Sequence, residues 1–155
     1  MKTNLQMKTH IFKINLLRDK KVIREIEVVE NTNLYKLAEA IIGAYDFDLD
    51  HAFGFFSTIS ESGCFNSERK YELFADLEDE DIEPTGARSV RKTKIGEVWK
   101  TPGDKMLFLF DYGDNWLFVV ELIGFGTKEI KTKYPRVLKS VSKAPEQYPE
   151  YDEKE

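Results

Sequence analysis

The sequence predicts a single α+β domain built on a largely antiparallel sheet. Three observations carry that expectation. Residues 105–124 are two apolar runs flanking Gly113-Asp-Asn115, the pattern of a β-hairpin whose strands are covered on both faces. Residues 11–28 contain two shorter runs that alternate in polarity around a polar turn, an opening hairpin. Residues 34–45 place their apolar side chains at helical spacing. At 155 residues, with 11 Phe, 7 Tyr and 2 Trp, the chain has the length and the apolar bulk for one core.

Taken in order, Phe12, Ile14 and Leu16 alternate with Ile11, Lys13 and Asn15, which marks a half-buried first strand. Arg18-Asp-Lys-Lys21 turns the chain, and Val22, Ile26 and Val28 share one face of the second strand. Asn31 or Thr32 is placed to cap a helix over about 32–44. Leu34, Leu37, Ala38, Ile41, Ile42 and Tyr45 form its apolar stripe, and Gly43 weakens or ends its last turn. A hairpin followed by a helix resembles the opening of a β-grasp fold, a likeness of topology that carries no activity.

Phe53, Phe55 and Phe56 mark a third strand near 51–58, and residues 59–70 read as a loop. Tyr71, Leu73 and Phe74 make a short strand ahead of the acidic run 76–83. Ile95, Val98 and Trp99 are spaced for one helical turn. In the central hairpin Met106, Phe108, Phe110 and Tyr112 share one face and Leu107 and Leu109 the other. Beyond Ala144 the chain is polar, acidic and broken by proline, so the core is expected over about 8–140 and the tail 144–155 is expected to fray.

Composition excludes several classes of function. The net charge of −5 argues against nucleic-acid binding driven by overall charge. No apolar run approaches the roughly 20 residues of a membrane span, and residues 1–10 lack an apolar signal core. Cys64, the one cysteine, permits no internal disulfide and suits a reducing cytoplasm. With two histidines and one cysteine, a multi-Cys/His zinc site within one chain is ruled out. There is no Walker loop, dinucleotide fingerprint, G-x-S-x-G elbow or H-E-x-x-H.

Four stretches in order carry a family resemblance. They are His10-Ile-Phe-Lys-Ile14; Leu34–Gly43 leading to Asp50-His51-Ala-Phe53; Phe110-Asp-Tyr-Gly-Asp-Asn-Trp116; and Tyr134-Pro-Arg-Val-Leu138 with Ala144-Pro-Glu146. The chain thereby resembles the plasmid pRiA ORF-three-like family, whose signature is Y-D-F-G-D-x-W and whose members also carry transposon-passenger or resolvase-like labels. The resemblance spans nearly the whole chain and implies a fold; the family has no established biochemical activity. This chain departs from the family pattern in its tail, where E-D-x-G-G reads Glu146-Gln-Tyr-Pro149, and in strand two, where Lys21-Val-Ile-Arg24 stands for P-P-I-W-R.

Asp46-Phe-Asp-Leu-Asp50 starts like a calcium loop, but His51 and Ser57 stand where that loop needs Gly and Glu. The sharper candidates are Asp50, His51, Asp111 and Asp114. Were the third strand to lie beside the central turn, these carboxylates and imidazole would converge and could hold a divalent metal or perform acid–base catalysis. The plainer reading has Asp111 and Asp114 shaping the turn through side-chain-to-backbone bonds. Two basic segments, 88–94 and 128–136, could track a phosphate backbone, or simply balance the acidic block as solvated loops. Cys64 reads as a passive thiol.

The reading that results is a non-enzymatic protein-interaction module of the cytoplasm, with the acidic run and the loops near Asp50 and Asp114 as its surfaces. No cofactor is expected beyond that divalent metal. A protein partner is preferred to a nucleic acid, and no membrane is involved. A metal-assisted hydrolase or nuclease built on the Asp/His cluster is the alternative, followed by a nucleic-acid accessory of mobile elements.

Overall fold

The computed structural model describes residues 7–76 and 86–149. Most of the acidic run 76–83, and the last six residues of the tail, lie outside them. The elements run β1 (Lys8–Leu16), β2 (Ile23–Val29), α1 (Leu34–Ala44), β3 (Phe53–Phe56), β4 (Lys70–Glu72), β5 (Arg88–Ser89), α2 (Ile95–Val98), β6 (Lys105–Phe110), β7 (Trp116–Thr127) and β8 (Arg136–Val141). Single 3₁₀ turns cover Cys64–Asn66 and Leu73–Asp76. All eight strands join one sheet, ordered β5-β4-β3-β6-β7-β1-β2-β8. Every neighbouring pair is antiparallel except β4 and β5.

The central hairpin is where its apolar pattern places it. β6 and β7 sit fourth and fifth in the sheet, with Phe108 opposite Phe118 and Phe110 opposite Trp116. Met106, Phe108, Phe110, Phe118, Val120 and Leu122 point into the main core with α1. Leu107, Leu109 and Leu117 point the other way, into a smaller cluster with Phe56 and Cys64. Tyr112, expected on the first face, packs there too, because the strand ends at Phe110 and Asp111 is left-handed. Cover on that second face is local, since Ile123 and Phe125 at the far end of β7 are exposed.

α1 begins at Leu34, two residues after the expected start. Asn33 is its cap and accepts the Lys36 amide at 2.8 Å, because Asn31 and Thr32 are used in the turn that ends β2, where the Thr32 amide donates to Val29. Gly43 does not end the helix; the chain leaves it through Tyr45 and then Asp46, at φ 60. Tyr45 is fully buried, its hydroxyl 3.1 Å from the Ile14 carbonyl and 3.0 Å from that of Val22, which pins the helix to the opening hairpin.

Three stretches differ from expectation. The third strand is shorter, Phe53–Phe56, since Ser57 and Thr58 already bond across the loop to Arg69 and Ser67. The segment from Tyr71 is strand only to Glu72 and then turns as 3₁₀. β8 has no counterpart in the expectation, because an edge strand with mostly exposed side chains lacks an alternating pattern.

Candidate functional site

The turn between β6 and β7 begins at Asp111. Its backbone is left-handed (φ 66), as is that of Asn115 (φ 51), while Gly113 is not. Asp and Asn tolerate that region because their short side chains bond locally. Asp111 Oδ1 accepts the amides of Gly113 at 3.0 Å and Asp114 at 3.2 Å, and the Asn115 amide closes on the Asp111 carbonyl at 2.6 Å. The plainer role expected of Asp111 is therefore present. Its other oxygen does something further.

The Asp111 amide donates to the Ala52 carbonyl at 2.9 Å, which holds the start of β3 against the turn. That brings in His51, whose ring stands edge-on to Phe110 at 6.1 Å. His51 Nδ1 lies 2.8 Å from Asp50 Oδ1 and 3.6 Å from Asp111 Oδ2. Since a carboxylate only accepts, Nδ1 carries the proton, and Nε2 is left as the second face of the ring. Asp50, His51 and Asp111 thus meet at one corner. Asp114 does not join them by contact; its charge is felt by His51, and its side chain lines the adjoining cleft.

Two residues of this corner belong to the segment whose composition predicts fraying. The Tyr148 hydroxyl donates to Asp50 Oδ2 at 2.7 Å and lies 3.2 Å from His51 Nδ1. Gln147 accepts the Asp48 amide at 2.7 Å, returns its own amide to the Asp48 carbonyl at 3.0 Å, and reaches Asp50 Oδ1 at 3.2 Å. Residues 144–149 are therefore laid against the site. The signal that could have found them is the departure from the family tail, where this chain puts Gln147 and Tyr148 in the E-D-x-G-G stretch.

The electrostatics follow from these contacts. The Tyr148 hydrogen bond, helped by His51, lowers the Asp50 carboxyl below its ordinary value. The Asp50 hydrogen bond, with the charges of Asp111, Asp50 and Asp114, raises His51. Loss of solvent, then the Asp50 bond and the same carboxylates, pushes the Tyr148 phenol up to about 12. Among the described residues no group of three or more His, Cys, Asp or Glu side chains with metal-holding geometry is found.

Beside the corner lies a cleft of about 580 Å³. Leu16 comes from the end of β1, Val22 from the β1–β2 turn, Trp116 and Leu117 from β7, and Pro145 and Tyr148 from the tail. Arg18, Asp19, Asp114 and Lys143 give it a charged rim. The Trp116 indole N–H is enclosed and finds no acceptor among the described residues. An apolar pocket of this size with a few convergent polar groups is the form binding sites take.

The other candidates are placed as follows. Arg136, in the second basic segment, is committed to the buried Glu27 at 2.7 Å, and Arg91, in the first, stacks on Tyr35 at 4.2 Å. Cys64 is buried, with Sγ 3.6 Å from the Glu61 carbonyl and its pKa raised by burial, as befits an unreactive thiol. No helix among the described residues is long and apolar enough to cross a membrane.

No curated protein matches the sequence. Among solved structures, the protein of unknown function MM3350 from Methanosarcina mazei Go1 is similar in fold, with a TM-score of 0.70 and 21% identity over 90% of this chain and 72% of that one. The family described as plasmid pRiA4b ORF-3-like protein matches residues 8–149, a span that holds the sheet, the corner at Asp50 and the tail that closes on it; the chain belongs to that family.

Proposed function

We propose that this protein is a non-enzymatic interaction module that receives a segment of a partner protein in the cleft between Trp116 and Tyr148. One observation carries the reading. Three loops remote in sequence, 17–22, 111–115 and 143–149, wall an apolar cleft with a charged rim beside the polar corner at Asp50. Aromatic side chains with polar handles are the usual anchors of protein interfaces. The hairpin–helix opening serves as scaffold and contributes no chemistry.

The test is site-specific photocrosslinking in the native cell, with a benzophenone amino acid placed at Asn115 in the cleft and, as control, at Lys92 outside it. A discrete adduct from position 115, absent from 92 and lost with Trp116→Ala, supports the reading. Equal labelling from both positions, or none from 115, refutes it.

A hydrolytic reading draws on the convergence of Asp50, His51 and Asp111, with His51 Nε2 as base. If the cluster also binds a divalent ion, calorimetric titration with Mg²⁺ or Mn²⁺ gives heat that disappears in Asp111→Asn. A flat titration removes the metal from that reading.

A further inference from the structure

The tail segment is held at its two ends by different means. At the near end, the chain leaves β8 through Ser142, whose backbone is left-handed (φ 66). The buried Arg24 grips that point, donating to the carbonyls of Val141 at 3.1 Å and Ser142 at 3.0 Å. The same guanidinium donates to Ala44 at 2.9 Å, at the end of α1. This hinge is thus tied into the core.

Beyond it nothing comparable holds the chain. Among the described residues, no backbone-to-backbone hydrogen bond involves residues 143–149. Pro145 and Pro149 have no N–H to offer a strand. Ala144 packs against the core and is only partly buried. The far end is held by side chains at the surface: Gln147 on the Asp48 backbone, and Tyr148, 51% exposed, on Asp50. Such exposed contacts exchange readily with water. Next to them stands the Trp116 indole, with an enclosed N–H that has no acceptor.

We propose that residues 143–149, which wall one side of the cleft, are a displaceable strap, hinged at Ser142 and latched by Gln147 and Tyr148, that swings aside to admit a partner segment against Trp116. This rests on reading the cleft as a binding site. The hinge stays fixed, since Arg24 belongs to the core. The latch alone opens, and an incoming backbone carbonyl can then accept the Trp116 N–H.

The experiment needs no partner, so its failure is separable from failure of the crosslinking above. Trp116 is partly exposed and Trp99 is fully buried, so acrylamide quenching of tryptophan fluorescence reports on Trp116. Exchange of the Asp48 amide reports on the latch, because its acceptor is the Gln147 side chain. In Gln147→Ala/Tyr148→Phe, the strap predicts a severalfold rise in both quenching and Asp48 exchange, with the melting temperature unchanged. Tyr148→Phe alone, which keeps the ring, gives a smaller rise in both. Unaltered quenching and exchange would show that these residues latch nothing. A melting temperature that falls along with them would make the segment a fixed part of the fold. Either result overturns the proposal.

Discussion

The Tyr148 hydroxyl sits 2.7 Å from Asp50 Oδ2, joining residues 98 positions apart in the chain. Through that bond the tail, the start of β3 and the β6–β7 turn become one corner. Asp50, His51 and Tyr148 perturb one another there, so the predictions concern how these three titrate and what holds the surrounding fold in place.

His51 is expected to titrate above the ordinary imidazole value of 6.5, and Asp50→Asn to bring it back down. Asp50 gives up its proton more readily in the fold than in the unfolded chain. Its stabilising contribution is therefore full above the ordinary carboxylate range and fades as pH falls through the lowered folded value. His51 keeps its proton more tightly when folded, so its contribution is full below 6.5 and fades as pH rises through the raised folded value. The corner is tightest in the weakly acidic window between the two. A pH series of imidazole NMR shifts checks this; an unshifted His51 in the wild type contradicts it.

The Tyr148 phenol is expected to ionise near 12. Removing the Asp50 charge in Asp50→Asn lowers that value toward the ordinary 10.0. Ultraviolet difference titration, with Tyr148→Phe to identify the signal, measures it. A phenol indifferent to the Asp50 charge argues against the bond.

Arg24→Ala is expected to cost about 2–4 kcal/mol, since it removes a buried cation that serves four carbonyl acceptors, those of Ile23, Ala44, Val141 and Ser142. Urea unfolding is the measurement. A loss below about 1 kcal/mol would mean that water serves those carbonyls equally well.

Gly54→Ala is expected to destabilise by about 1–3 kcal/mol. A Cβ there would stand 2.9 Å from the Phe56 ring and 2.9 Å from the Tyr112 hydroxyl. That hydroxyl donates to the buried Glu72 at 2.9 Å, so displacing it leaves a carboxylate short of a donor. Thermal unfolding of the variant tests this, and an unchanged transition contradicts it.

What the sequence made legible follows from periodicity. β1, β2, α1, β6 and β7 have a buried face or two, and burial imprints alternation or a helical stripe. The meeting of Asp50, His51 and Asp111 was also within reach, since it needs only β3 to neighbour the hairpin turn. Two things left no periodic trace. β8 is an edge with exposed side chains, and the strap docks through polar contacts made by Gln147 and Tyr148, whose composition is that of a fraying tail. Asp114 lies in the same turn as Asp111, so sequence spacing alone does not separate the two; in the fold it lines the cleft and acts on His51 only through its charge.

All that concerns function here depends on the tail lying against the Asp50–His51 corner. The most direct test is a nuclear Overhauser spectrum of the full chain in weakly acidic solution. The Tyr148 and His51 rings, with centroids 6.3 Å apart, are predicted to share cross-peaks that persist in Trp116→Ala. Random-coil shifts for Tyr148, with no cross-peak to His51, would contradict the account.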